Sequence, residues 1–514
     1  MLNRLWRWAA IAVALSGPMA AAAADEVTLS FPDGSFEVTG PLLGFDGAAY
    51  RIETRFGVLT IAADRVICMG ACPIRTDPPV IRLVGAAAMA EVLMPSLVDA
   101  FALSLGVSTQ PAAAEPGTVA LDIVAGEAQV LARFEITATT TAAGFAALAT
   151  NQAEIVLADR DVSLAEAQAL RAAGLGDVTD PLRRRLLARR PLTLMVPDAF
   201  PLRDLTVAEL LAAAGQGANW ATFGGPDIPV VMAALPVDGL PARARLDALG
   251  AYHEESRAPA LRDLNSASDL SAFFEAEPGA AILTHERLGS GRAVSLSHGC
   301  EPGSADRAEG DAHPLMIHFW SYTAAPRLPD LARAFLIFAS GPDAQRVVDR
   351  AGFLDKRPRP IPLADQGDRV ARAVSALSAE KSLEDLQAAL ARLRGFDRLS
   401  TVFRFAPNAA ELNLESVAEA QSLAALLDSG RYDGREVLFV GLTDALGTAE
   451  SNIRLSEARA SLARDAVTRA MATRADRVEL KAEGLGELFP LACDASAWGR
   501  HVNRRVEVWL GPAP

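Results

Sequence analysis

Apolar and polar residues alternate from Glu26 to about Thr76, and Asp33-Gly34, Asp46-Gly47 and Phe56-Gly57 break the alternation. Period-two runs separated by such turns predict short antiparallel strands. The stretch 25–77 therefore reads as a small β module, either a sheet or a barrel. Thr76-Asp77-Pro78-Pro79 reads as a linker. From Val80 the pattern changes. Val80 to Val84 is a short strand that runs into Gly85 and an amphipathic helix ending near Gly106. Thr118 to Phe134 reads as a strand and a helix, and Ile155 to Ala158 as a strand turning at Asp159-Arg160. Leu192 to Leu235 continues with strand, turn, helix and strand. Strands alternating with helices predict parallel α/β units over 78–360. Pro358, Pro360 and Pro362 end that span. The next stretch, 361–397, is charged and helix-patterned, with Ser382-Leu383-Glu384-Asp385 as a helix start, and reads as a helical linker.

The final stretch, 398–514, opens with a strand from Leu399 to Phe405 and a helix from Leu414 to Leu427. Val437 to Val440, closed by Gly441, suits a buried strand. From Leu455 the period is helical, and Leu455, Ala458, Leu462, Ala466 and Ala470 fall on one stripe. Arg459 lies inside that stripe. A guanidinium on the core side of a helix needs an anionic partner. Two readings are open: a protein carboxylate such as Asp444, or a ligand carboxylate, with Asp444 left to accept an ammonium.

Met1 to Ala24 has the grammar of a secretory signal peptide. Arg4 and Arg7 precede an apolar core from Ala9 to Leu15, and Ala20 to Ala24 supply small residues for cleavage. That core is too short to span a bilayer. No Cys lies near the cleavage region, which argues against a lipid anchor, and no later segment reads as a membrane span or a series of barrel strands. The expectation is an exported protein with no transmembrane segment in its mature chain. With 514 residues, 50% hydrophobic and 22% charged, the chain can bury more than one core. A net charge of −14 argues against nucleic acid as a partner.

Cys68 and Cys72 form a tight C-x3-C around Gly70, and a local disulfide is the preferred reading over a metal site, since two thiols alone make half a site. Cys300 and Cys493 stay unassigned. Arg183 to Arg190 is a basic run in an acidic chain; it reads first as a solvated helix face or loop, and second as a contact with anionic lipid or an envelope polymer. No histidine spacing suggests zinc, no nucleophile motif or catalytic pair appears, and no cofactor is implied. The chain reads as a non-enzyme.

Gly441-Leu442-Thr443-Asp444, then Asn452…Leu455-Ser456…Arg459-Ala460, then Asn503-Arg504-Arg505-Val506-Glu507 follow one another in register. This series resembles the OmpA-like peptidoglycan-binding domain, with an α+β fold ordered βαβαββ. The resemblance implies that Asp444 and Arg459 grip the diaminopimelate of the peptidoglycan stem, with Asn452 and Arg505 as further ligand contacts. Leu442 departs from the family, which often places an aromatic residue or His before the Thr-Asp.

Gly85 before the first helix, Ala158-Asp159-Arg160, Leu205-Thr206…Trp220…Gly224-Gly225 and His313-Pro314-Leu315 resemble the phosphate-type solute-binding protein of ABC transporters. The resemblance implies a two-lobed periplasmic-binding-protein-like fold with candidate solute contacts at Gly85, Ala86, Arg160 and Gly239. Yet Gly85-Ala86-Ala87 stands where the family has Gly-Ser-Ser/Thr, and Asp238-Gly239-Leu240 replaces Ser-Gly-Thr. The hydroxyl half of a phosphate cage is missing. Arg160 has two open readings, an ion pair or a ligand contact.

The fold expected is thus α/β multidomain: signal peptide, β module, two-lobed domain, helical linker and OmpA-like domain. The function expected is non-covalent tethering to peptidoglycan in the periplasm or at the outer membrane, with an envelope protein as a further candidate partner. The alternative is capture of phosphate or another small anionic solute for a transporter.

Overall fold

A computed structural model of the chain describes residues 26–512 except 32–35, 46–48, 56, 73–77, 127–128, 251–259, 265–268, 286–290, 298–312, 325–327, 378–381, 406–411 and 473–476. The signal-peptide reading, the turns at Asp33-Gly34 and Asp46-Gly47, and Cys300 lie outside the described residues.

The chain divides into two compact units, Met1–Pro79 and Val80–Pro514. In the first, five strands form an antiparallel sheet in the order Gly57–Ala62, Ala49–Thr54, Glu37–Phe45, Glu26–Ser30, Ile67–Gly70. Alternation puts Val27, Leu29, Tyr50 and Ile52 on one buried face. The Cys68–Cys72 disulfide forms, with the cysteines packed against that cluster.

The second unit begins with two lobes. The first is a seven-stranded sheet ordered Arg184–Pro191, Met316–Thr323, Ile155–Ala158, Val80–Ala86, Gln129–Thr139, Thr118–Ala125, Ser108–Ala112. Its central pairings are parallel, and the flanking ones are antiparallel. Two expectations fail here. Gln129 to Phe134, expected to be helical, belongs to an eleven-residue strand. Ala132, Phe134 and Ile136 point into the core at a period of two, and Gly126 turns the chain at φ 61°. The Arg183–Arg190 run is neither a helix face nor a loop. It forms the edge strand Arg184–Pro191, with Arg184 over Trp320 and Arg190 over Phe353. Guanidinium stems cover aromatic faces there. At Pro191-Leu192 the chain crosses to a six-stranded mixed sheet, ordered Asp204–Thr206, Arg292–Ser297, Thr193–Val196, Ala280–Thr284, Val231–Ala234, Arg262–Asp263, and Met316–Thr323 returns to the first.

The C-terminal sheet is ordered Pro360–Pro362, Asp397–Phe403, Arg505–Leu510, Glu436–Leu442, Glu479–Gly484. Both faces are covered. Val437 and Phe439 pack under the Leu414–Asp428 and Ala449–Ala470 helices with Leu423, Ala460, Ala463 and Val467. Leu438, Val440, Leu442 and Trp509 point the other way and meet Ala373, Leu386, Ala389, Leu393 and Phe396. Residues 361–397 are therefore not a free linker. They supply two helices, Gly367–Ser375 and Leu383–Arg392, that form a third layer, and Ser382 caps the second helix as expected.

The helical stripe also shifts. Asn452, Ser456, Ala460, Ala463 and Val467 form the buried face of Ala449–Ala470, while Leu455 is 43% exposed. The cause is close approach. A Cβ on Gly441 would meet the Ser456 carbonyl oxygen at 1.9 Å, and one on Gly484 would meet the Glu457 nitrogen at 2.5 Å. Small side chains let the helix lie directly on these strands.

The lobes and the C-terminal sheet form one body. Arg189 pairs with Glu419 at 3.1 Å, both nearly enclosed. Trp498 and Val502 of the Ala497–Asn503 helix enter the main core, with Arg245 lying 6.0 Å over the Trp498 ring.

Candidate functional site

The Glu436–Leu442 strand delivers Thr443 and Asp444 to its C-terminal end, and the Thr443 N–H donates to the Gly486 carbonyl at 2.8 Å. The Asp444 carboxylate is buried. Its Oδ1 accepts from the Leu446 N–H at 3.2 Å, and its Oδ2 from Arg504 Nη1 at 2.6 Å. Asn452 Nδ2 donates to the Asp444 carbonyl at 3.3 Å, so Asn452 positions the turn through its backbone.

Arg459 lies on the Ala449–Ala470 helix with its guanidinium 5.3 Å over the Phe405 ring. Its Nη1 is buried with no hydrogen-bond partner among the described residues, and so is the Thr443 hydroxyl. Burial lowers the Arg459 pKa, Arg504 pushes it the same way, and Asp444 opposes them. The protein-carboxylate reading of Arg459 therefore fails as a hydrogen bond: Asp444 is taken by Arg504. Two guanidinium groups face one carboxylate, and one of them has an unmet, desolvated donor. Such a donor is suited to a carboxylate, which accepts planar charge-assisted bonds.

Arg505 does not join the site. Arg505, Glu507 and Trp509 alternate with Val506 and Val508, so Arg505 faces the third layer and not the Ala449–Ala470 helix. Its side chain is 0% exposed and donates to Glu507 at 2.7 Å and to the Phe489 carbonyl at 2.8 Å. Arg369 completes this buried cluster by donating to both Glu507 oxygens at 2.7 and 2.6 Å. Arg504, which sequence reasoning passes over, is the arginine that reaches Asp444. It precedes the strand as the C-cap of Ala497–Asn503, outside the alternation. The signal is the Arg-Arg pair itself; the strand start decides which member points where.

In the two lobes, the solute-contact expectations meet a different geometry. Gly85 has φ 149°, and a Cβ there would strike the Leu157 carbonyl at 2.0 Å, so its role is close strand packing. Ala86 is buried. Arg160 resolves to an ion pair: it donates to both Glu166 oxygens, at 2.9 and 2.8 Å, and to the Asp161 carbonyl at 3.0 Å. Gly239 lies within the Pro236–Gly250 helix. Beside Arg160, the Asp159 carboxylate is half-buried and accepts from Thr141 at 2.7 Å, and burial raises its pKa. The Asp159 charge disfavours an anion beside Arg160. Among the described residues, no group of three His, Cys, Asp or Glu could hold a metal, and no helix is long and apolar enough to cross a membrane.

Comparison with known proteins finds two matching stretches. Residues 108–234 match the model of the PBP superfamily domain, and residues 404–504 match that of the OmpA family. The chain is 38% identical over 82 residues to the probable lipoprotein YiaD of Escherichia coli, covering 16% of this chain and 36% of that protein. It is 38% identical over 92 residues to outer membrane porin F of Pseudomonas aeruginosa, covering 18% of this chain and 25% of that protein. The match thus spans about a third or less of these two relatives. Among solved structures, an ABC-type phosphate transport receptor from Vibrio cholerae aligns with 17% identity and a TM-score of 0.38, over 53% of this chain and 99% of that one. The chain joins a PBP superfamily domain to a C-terminal domain of the OmpA family.

Proposed function

We propose that this protein is a cell-envelope component held non-covalently on peptidoglycan by its OmpA-family domain. Asp444 and Arg459 read the zwitterionic end of diaminopimelate: the Arg459 guanidinium takes the carboxylate and Asp444 the ammonium. The observation that carries the reading is the buried, unpartnered Nη1 of Arg459 beside Asp444. An apolar site with an unmet cationic donor is stabilised by the ligand group that completes it. Arg504 holds the Asp444 carboxylate in place, and Asn452 fixes its backbone. The two-lobed domain is carried to the wall as part of the same body. Its Arg160 is committed to Glu166 and its Asp159 opposes an anion, so no phosphate-receptor activity is assigned to it.

The test is co-sedimentation with diaminopimelate-type sacculi. Wild type is retained, and Asp444→Ala and Arg459→Ala are released; retention of both variants at the wild-type level would sink the assignment. In parallel, inorganic phosphate should leave the melting temperature unchanged, and a saturable upward shift would restore the solute-capture reading.

A further inference from the structure

Between the Leu414–Asp428 and Ala449–Ala470 helices runs a groove of about 470 Å³, floored by Ala420, Leu462, Ala466 and Ala470. A chain of contacts links it to the Asp444–Arg459 site. Arg459 rests on Phe405, Phe405 bridges to Leu412, and Leu412 lines the groove. Leu462 and Ala466 follow Arg459 on the same side of the helix. Arg469, in the last turn, closes the far end. No ion pair or hydrogen bond holds the Arg469 side chain among the described residues.

We infer that this groove is a second subsite for the peptidoglycan stem peptide, resting on the diaminopimelate reading of Asp444 and Arg459. Arg459 and Arg469 are ten residues apart on one helix, roughly 15 Å at 1.5 Å per residue. From the head carboxylate of diaminopimelate through its side chain and the γ-linkage to the glutamate α-carboxylate is about eleven bonds, roughly 13 Å at about 1.2 Å per bond when extended. With the diaminopimelate head on Arg459, the upstream chain lies along the alanine floor, where side chains of methyl size fit. The free α-carboxylate of the γ-linked glutamate then meets Arg469. A shallow, small-residue channel with a cation at each end matches a short peptide bearing two separated carboxylates.

The experiment compares three probes by titration calorimetry on the full chain: free meso-diaminopimelate, the tetrapeptide L-Ala-γ-D-Glu-meso-diaminopimelate-D-Ala, and the same tetrapeptide with the glutamate α-carboxylate amidated. Wild type should bind the tetrapeptide at least tenfold more tightly than the free amino acid. Arg469→Ala should weaken the tetrapeptide threefold to tenfold, leave free diaminopimelate unchanged and have no effect on the amidated probe. Ala466→Phe should narrow the groove and reduce tetrapeptide affinity to that of the free amino acid. Equal affinity of wild type for all three probes, or equal losses on every probe in both variants, overturns the groove assignment while leaving the Asp444–Arg459 site standing. Failure of wild type to bind any of the three overturns the diaminopimelate reading and the groove with it.

Discussion

Replacing Arg459 by Leu separates a binding residue from a structural one. Leu keeps an apolar neighbour for Phe405 and removes a guanidinium whose Nη1 has no partner. An unsatisfied buried donor costs about 1–3 kcal/mol. The cation–π attraction removed at the same time is worth about 0.5–2 kcal/mol. The fold should therefore hold its stability or gain up to about 2 kcal/mol, the signature of a site strained in the absence of its ligand. Binding should move the other way. A hydrogen bond to a charged group contributes about 1.5–3 kcal/mol, so affinity for diaminopimelate should fall roughly tenfold to a hundredfold. Urea unfolding followed by tryptophan fluorescence gives the first quantity, and calorimetry with free diaminopimelate the second. A drop of more than about 2 kcal/mol in stability with binding intact would show that Arg459 is a structural cation and that its unmet donor does not mark a ligand site.

Other outcomes follow from the buried charges. Glu507→Gln leaves Arg369 and Arg505 facing each other in a closed space and should destabilise by about 3–5 kcal/mol in urea unfolding. Burial raises the Glu507 pKa, but Arg369 and Arg505 outweigh it and hold the carboxyl well below the usual range. Its contribution is therefore complete above the unfolded-state value near 4.3 and is lost as pH falls below it, so the acid limb of a stability–pH curve should flatten in the variant. His501 behaves in the opposite window: burial, then Arg404, Arg504 and Arg245, lower its pKa to about 3. The unfolded imidazole gains a proton near pH 6.5 that the folded one refuses, so stability should fall by up to about 1.4 kcal/mol per unit below that pH, and His501→Gln should remove that slope. Reduction of Cys68–Cys72 opens a small loop and should destabilise the N-terminal unit by about 2 kcal/mol, with unchanged sacculus retention.

Much of the C-terminal domain is legible in the sequence. The apolar run to Leu442, the Thr-Asp turn, the helix and the closing strand each announce themselves locally, because strands and caps are written in adjacent residues. The candidate roles of Asp444 and Arg459 come from their place in the family resemblance, since the residues alone leave the partner of Arg459 open. What fails is phase. Apolarity selects a stripe through Leu455, whereas the helix buries Asn452 and Ser456 because Gly441 and Gly484 admit it closely. Residue type favours neither Arg504 nor Arg505, since it cannot reveal which face a strand residue takes. The basic run from Arg183 misleads because arginine stems can cover aromatic rings on a buried edge, a property invisible to a count of charges.

The sequence by itself determined the order of the PBP-like and OmpA-like domains, the strand and helix types over most of the C-terminal span and the local disulfide. All of these rest on neighbours within a few residues. Only the tertiary structure decided that 361–397 is a layer and not a tether, that Arg504 claims Asp444 and leaves Arg459 unmet, and that Arg160 is committed to Glu166. These outcomes depend on which faces meet after folding. That is a balance of burial, close approach and charge pairing among residues far apart in the chain, and no local pattern encodes it.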